Sequence, residues 1–303
     1  MKVLVSGSTG LIGSALTPRL RALGYDVVPL VRRRPAPAER AIAWDPEHAT
    51  IDRPALEGAD VVVHLAGENV FGRWTPAKKQ RIRDSRVLGT RLVSDAVAGL
   101  SRRPRLLLAA SAIGYYGDRG DEPLNEQSAP GEDFLAVVAR DWEGATAGAT
   151  RAGIRVVNLR FGVVLTPKTG ALAKMLPAFK LGLGGPVGSG NQYLSWITLD
   201  DALNAILHVL DTPGLTGPVN ITAPNPVPNR EFAKTFGKTL GRPAVVTVPA
   251  FALRMAFGAE GAAMLQSGQR VLPERLLESG FHFCYETLEP ALRHLLAAPE
   301  GGR

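Results

Sequence analysis

The stretch Val3-Leu4-Val5-Ser6-Gly7-Ser8-Thr9-Gly10-Leu11-Ile12-Gly13 decides the fold. An apolar strand runs into a glycine-rich turn, and the turn feeds a helix. Ser14 to Leu23 carries Ala15, Leu16, Leu20 and Leu23 at helical spacing, Gly24 ends it, and Asp26 to Val31 reads as a second strand. In that βαβ setting, glycines at 7, 10 and 13 let the backbone turn tightly, approach a pyrophosphate and pack the new helix on the sheet. The helix N-terminus adds unpaired N–H groups and a favourable dipole. Gly7, Ser8, Thr9, Gly10, Leu11, Ile12 and Gly13 are therefore read as dinucleotide contacts.

The end of the second strand chooses the nucleotide. An acidic residue there accepts hydrogen bonds from the ribose 2′-hydroxyl of NAD, whereas arginine suits the 2′-phosphate of NADP. The chain has Val31-Arg32-Arg33-Arg34 and no acid. Because the guanidinium fork matches phosphate oxygens, the expected cofactor is NADP(H), with Arg32 or Arg33 as its clamp.

Strands and helices then alternate, as a parallel doubly wound sheet requires. Asp60 to Ala66 is a buried strand ending at Gly67, a helix runs from Pro76 to about Leu100, Arg105 to Ser111 is the next strand, and a helix spans Asp133 to Ala152. Arg155 to Arg160 continues the pattern. Such sheets bind ligands at the carboxyl ends of their strands. Leu65, Ala66, Gly67 and Glu68, Arg86 on the helix that follows, and Phe161 and Val163 are accordingly assigned to the cofactor side.

The second half loses this regularity. The expected class is α/β, a Rossmann-type doubly wound parallel sheet with a smaller interleaved C-terminal substrate lobe. Residues 1–164 form the NADP-binding domain, 165–296 the lobe, with a strand and helix near 191–222 returning to the first domain, and 297–303 a tail. Gly184 to Gly190 is either an anion cradle or a tight crossing between lobes.

Composition narrows the function. The 303 residues are 45% hydrophobic and 21% charged, with a net charge of +7. No apolar run is long enough to cross a bilayer, and the strand starting at Lys2 leaves no room for a leader, so the expectation is a cytoplasmic protein with no membrane partner. The single Cys284 precludes an intrachain disulfide and reads as a packed strand residue. The densest basic stretch, Arg73 to Arg91, lacks interleaved aromatics and matches no nucleic-acid module, so no nucleic-acid partner is expected. Five scattered histidines give no metal site.

Further markers carry a resemblance: His64-Leu-Ala-Gly-Glu-Asn69, Arg73-Trp74, Ser85-Arg86 with Thr90, Ser111-Ala-Ile-Gly-Tyr-Tyr-Gly117, Trp142-Glu143, Leu159-Arg-Phe-Gly-Val-Val-Leu165, Ser195-Trp-Ile197, Pro218-Val-Asn220 and Gly280-Phe281. Over nearly its whole length the chain resembles the extended short-chain dehydrogenase/reductase superfamily and, more narrowly, the YfcH-type epimerase-family proteins counted among its atypical members. The resemblance implies a Ser that binds the reacting oxygen, a Tyr that moves its proton and a Lys four residues later that holds the nicotinamide ribose. Ser111 matches the Ser. Leu135 and Ala139 stand where the Tyr and Lys would be.

Local substitutes for the lost pair are Tyr115, Tyr116 and Glu68, the last as a general base if desolvation raises its pKa. Arg160, Gln192, Ser195 and Trp196 resemble the substrate face of extended members, and Asn220 follows the same pattern, while Trp142 and Trp196 also suit the core. The chain thus reads as an NADP(H)-dependent oxidoreductase or epimerase of a small molecule, a nucleotide sugar or another polar carbonyl or carbinol, in a possible homodimer. The alternative is a non-catalytic NADPH-binding redox sensor.

Overall fold

Apolar strands that are buried on both faces must sit inside a parallel sheet, and five such strands define the centre here. They are β1 (Lys2–Ser6), β2 (Asp26–Val31), β5 (Val61–His64), β6 (Leu106–Ala112) and β8 (Arg155–Phe161). With β3 (Ile42–Asp45), β4 (Thr50–Ile51) and β12 (Gly217–Ile221), they make one eight-stranded sheet in the order β12-β8-β6-β5-β1-β2-β3-β4. Among the described residues of this sheet, only β4 pairs antiparallel. The computed structural model describes residues 1–36 and 38–297, so most of the expected 297–303 tail lies outside the described residues.

From β1 the chain winds outward through β2 and β3, then returns to the other side of β1 with β5, β6 and β8. The crevice between the ends of β1 and β5 is therefore the topological switch point, where open α/β sheets bind ligands. Side chains alternate across each strand. Val3 and Val5 pack with Leu16 and Leu20 of α1 (Leu11–Ala22), whereas Leu4 packs on the opposite face with Val93 and Val97 of α3 (Pro76–Ala98). The α1 helix begins three residues earlier than the apolar spacing indicated, because Gly10 already serves as its N-cap.

The expected helix from Asp133 to Ala152 is two helices, α4 (Phe134–Gly144) and α5 (Ala147–Arg151). The expected strand Tyr193 to Ile197 also divides. Tyr193–Leu194 pairs with Val227–Pro228, and Trp196–Thr198 pairs with Val163–Leu165. Ser195 between them keeps a backbone link to the second pair, its carbonyl accepting Val163 N–H at 2.8 Å. Further along, Arg270–Val271 runs parallel to Pro123–Leu124. A third cluster of buried apolar residues gathers Phe179, Phe232, Phe236 and Leu292 from helices Gly170–Lys180, Asn229–Leu240 and Leu288–Leu296.

The glycine loop proves to be a crossing. A Cβ on Gly185 would lie 2.3 Å from the Val246 carbonyl oxygen, and Val246 N–H donates to the Gly184 carbonyl at 3.2 Å. Cys284 departs from expectation too: it is exposed and lies outside any strand. The buried carboxylate of Asp201 accepts the backbone N–H groups of Cys284 and Tyr285 at 2.8 and 3.0 Å, so a side chain satisfies this segment instead of a ladder. Among the described residues, no helix is long and apolar enough to cross a membrane.

Candidate active site

Two backbone turns form the first half of the site. Gly7 has φ +68°, and a Cβ there would sit 2.8 Å from the Leu65 carbonyl carbon. The turn after β1 can touch the turn after β5 only because this side chain is missing. Gly13 is tighter still, since a Cβ would stand 2.2 Å from the Gly7 carbonyl oxygen. No side-chain oxygen caps the first N–H groups of α1. Those free donors at a helix N-terminus, beside a turn that bears no side chain at Gly7 and Gly10, fit the diphosphate of a dinucleotide.

The two turns bound a cleft of about 440 Å³ that also reaches Leu30 to Arg33 at the end of β2. Arg32 and Arg33 both line it, but they differ. The Arg33 guanidinium is forked onto Glu39 at 2.5 and 2.6 Å. Arg32 forms no ion pair among the described residues, and its charge helps to lower the Glu68 pKa. Among the described residues, Glu68 is the only acid that lines this cleft. Its carboxylate takes a hydrogen bond from Lys78 at 2.7 Å, which holds its pKa below the ordinary value despite burial. The condition set for a general base, a pKa raised by desolvation, is not met, and Glu68 is an ionised anchor. Arg86 lies under the same turn and donates to the carbonyls of Glu68 and Ile82 at 3.0 and 3.1 Å, with its guanidinium 5.0 Å from the Trp142 ring. Burial draws its pKa down to about 10, so it remains charged at neutral pH.

Behind the cleft, the ends of β6, β8 and β12 hold a chain of polar side chains. Ser111 donates its hydroxyl proton to Glu143 Oε1 at 2.7 Å. Glu143, on α4, also accepts both arms of Arg160, from Nε at 2.7 Å and from Nη2 at 2.8 Å. Arg160 Nη1 donates to the Tyr116 hydroxyl at 2.9 Å, which in turn donates to Asn220 Oδ1 at 2.7 Å. Ser111, Tyr116, Arg160 and Asn220 are all at most 2% exposed. The guanidinium spends its planar fork on a carboxylate and its face on the Tyr115 ring, 3.5 Å away. Glu126 closes the far end, accepting Asn220 N–H at 3.0 Å through one oxygen and leaving the other unpartnered, and burial raises its pKa.

This arrangement revises several readings. Tyr116 is fully buried, its hydroxyl is committed at both ends, and burial pushes its pKa up to about 12. Tyr115 is half-buried, and its hydroxyl makes no hydrogen bond among the described residues. Leu135 lies 3.4 Å from where a Cβ of Gly114 would be, so α4 meets the turn after β6 through an apolar contact. Ala139 is buried in the same helix.

The substrate-face residues do not gather as a group. Arg160 belongs to the buried chain. Ser195 donates to the Gln269 carbonyl at 2.7 Å and accepts Val271 N–H at 2.9 Å, stapling the C-terminal segment to the core. Trp196 is fully buried and donates to the Asn225 carbonyl at 3.1 Å. Gln192 borders an open groove, where its amide donates to the Val187 carbonyl at 2.9 Å. Phe161 and Val163 flank Gly162, whose Cβ would be 2.6 Å from the Ser195 carbonyl oxygen; neither lines the 440 Å³ cleft. Trp142 is a core residue that donates to Thr90 at 2.8 Å.

A second cavity, of about 350 Å³, lies between Gly114, the first turn of α4 and the helix Ala250–Gln266. That helix kinks at Gly258 (φ +76°), and Trp74 N–H donates to the freed Phe257 carbonyl at 3.2 Å. No motif pointed to this wall, because its residues lie more than a hundred positions from Ser111 and carry no catalytic pattern. Among the described residues, no cluster of three or more His, Cys, Asp or Glu is placed to hold a metal.

Comparison with known proteins agrees with this geometry. Residues 3–221 match the NAD dependent epimerase/dehydratase family, and residues 248–295 match a domain of unknown function, DUF1731. Epimerase family protein Mb2239 of Mycobacterium bovis is 44% identical over 298 residues, covering 98% of both chains. The crystal structure of human epimerase family protein SDR39U1 with NADPH superposes with a TM-score of 0.89 at 35% identity, covering 97% of this chain and 99% of that one. A nucleoside-diphosphate sugar epimerase from Corynebacterium glutamicum aligns at 39% identity and a TM-score of 0.80, over 98% of this chain and 58% of its own.

Proposed function

Because the chain belongs to the NAD dependent epimerase/dehydratase family, we propose that it is an NADP(H)-dependent oxidoreductase or epimerase acting on a small molecule. The observation that carries this reading is the glycine cradle facing an Arg32 that forms no ion pair among the described residues, in a cleft where Glu68 is engaged by Lys78. The human relative solved with NADPH supports the cofactor. Gly7 to Gly13 and Leu65 to Gly67 hold the diphosphate, Arg32 the 2′-phosphate, and Arg33 a supporting position. Bound NADP(H) supplies hydride exchange at a carbonyl or carbinol carbon.

Ser111 then meets the substrate in an unusual state. Its own proton is committed to Glu143, which leaves its lone pairs to accept a hydrogen bond from a carbinol hydroxyl. Tyr115, the phenol left outside the network, is our choice for moving that proton. A homodimer completes the reading by analogy with the superfamily, and sedimentation velocity tests it. The test of chemistry is to load the protein with NADPH or NADP, expose it to fractionated metabolites and follow the nicotinamide absorbance. A change lost in Ser111→Ala and reduced in Tyr115→Phe supports the enzyme.

A second reading is favoured by one observation: Leu135 and Ala139 occupy the positions of the superfamily's Tyr and Lys. In that reading the protein binds NADPH and reports its redox state without turnover. Tight NADPH binding with no absorbance change across all fractions selects it.

A further inference from the structure

We propose that the 350 Å³ cavity beside α4 takes a substrate with an apolar body and a cationic or uncharged head, and that it rejects nucleoside diphosphate sugars. The proposal rests on the NADP(H)-dependent reading and names the substrate class of that same site. The cavity has the volume of a small-molecule pocket. Gly114, three residues beyond Ser111, lines it, and so does Leu135, which stands at the position the resemblance gives to the superfamily's Tyr. Trp74, Phe134, Leu135, Ala263 and Met264 make that wall mainly apolar.

Its charges have one sign. Asp118, Asp133 and Glu260 line the cavity, and no Lys or Arg does. Glu260 is compensated from the neighbouring groove by Lys79 at 2.8 Å. The other two are not. Asp133 uses Oδ1 to cap α4, accepting Ala136 N–H at 2.9 Å, and Asp118 uses Oδ1 to accept Gly268 N–H at 3.1 Å. Among the described residues, neither Asp118 nor Asp133 forms an ion pair, and neither Oδ2 has a hydrogen-bond donor.

An ammonium placed here gains charge-assisted hydrogen bonds from two carboxylates and attraction from the Trp74 ring, the Phe134 ring already holding Lys79 Nζ at 4.5 Å. A diphosphate gains nothing and meets two like charges, which selects against it. The carboxylates are solvated at the rim, so the discrimination expected is roughly tenfold per charge step.

The experiment is calorimetric titration of the full chain, with and without NADP, using probes of nearly equal size. They are 2-amino-1-phenylethanol (cationic), 1-phenyl-1-propanol (neutral) and mandelate (anionic), with UDP-glucose as the fourth. Affinity is expected to fall roughly tenfold from amine to neutral alcohol and again to mandelate, with no UDP-glucose heat. In Asp118→Asn and Asp133→Asn, which keep the backbone acceptor and the cap, the amine loses its advantage while thermal unfolding is unchanged. Mandelate or UDP-glucose binding as tightly as the amine, an amine preference untouched by both substitutions, or no probe binding overturns the proposal. An NADPH titration of the same preparation fails independently if the cofactor reading is wrong.

Discussion

The cofactor cleft and the polar chain behind it share one edge of the sheet but are built from opposite materials. The cleft is backbone: two turns that approach because Gly7 and Gly13 have no side chain, and a helix end with no cap. The chain from Ser111 to Asn220 is side chains alone, a buried ion pair extended by hydroxyls and an amide. A site made of backbone is damaged by adding atoms, and one made of buried charges by removing them.

The largest effect should come from Arg160. Arg160→Met leaves the Glu143 carboxylate without its partner, and urea unfolding should show a loss of about 3–5 kcal/mol. Combining it with Glu143→Leu should recover part of that loss, because the orphaned charge is gone. If the double variant is no more stable than the single one, the pair is not the centre of the network.

Acid should weaken the cleft side next. His64, at the end of β5, is fully buried, accepts or donates one hydrogen bond with Ser6 at 2.7 Å and leaves Nε2 unpartnered; burial lowers its pKa to about 4. The unfolded chain, with an imidazole near the ordinary value of about 6.5, binds the proton more readily. Stability is therefore full above about pH 6.5 and falls as pH drops towards 4, by about 3 kcal/mol. Urea midpoints at pH 7.5 and 4.5 measure this, and His64→Asn should flatten the slope relative to wild type.

Gly13→Ala adds one methyl group against the Gly7 carbonyl. It should destabilise by about 1–3 kcal/mol and weaken NADPH, read by its fluorescence, far more than the fold. The smallest effect separates the two arginines. Arg32→Ala should weaken NADPH about tenfold, or about 1.4 kcal/mol, with NADH unchanged, while Arg33→Ala costs less because Glu39 already holds that fork. Equal losses for both nucleotides would refute the clamp.

The comparison also explains what was legible in the sequence. The cleft's first turn, helix and second strand lie within 31 residues, and their glycine spacing follows from local geometry, so it reads directly. The charged chain is assembled by topology. Glu143 and Arg160 are 17 residues apart, and Tyr116 and Asn220 are 104. Ser195 looked like a substrate contact because its neighbours in sequence resemble that face, yet its partner Gln269 lies 74 residues on. The state of Glu68 was left open in the sequence for a related reason: its pKa depends on Lys78, in the first turn of the next helix, and not on burial alone.

The C-terminal segment gives one more consequence, in the order of events during synthesis. Arg270–Val271 pairs with Pro123–Leu124, Asn220 Nδ2 donates to the Leu272 carbonyl at 3.0 Å, and Gly268 N–H reaches back 150 residues to Asp118. A ribosome releases the whole parallel sheet before any of these partners exists. The sheet is thus free to form early, while the walls around Ser111 must wait for the last part of the chain. A stalled or truncated product keeps its nucleotide turn but lacks the side of the site that would choose a substrate.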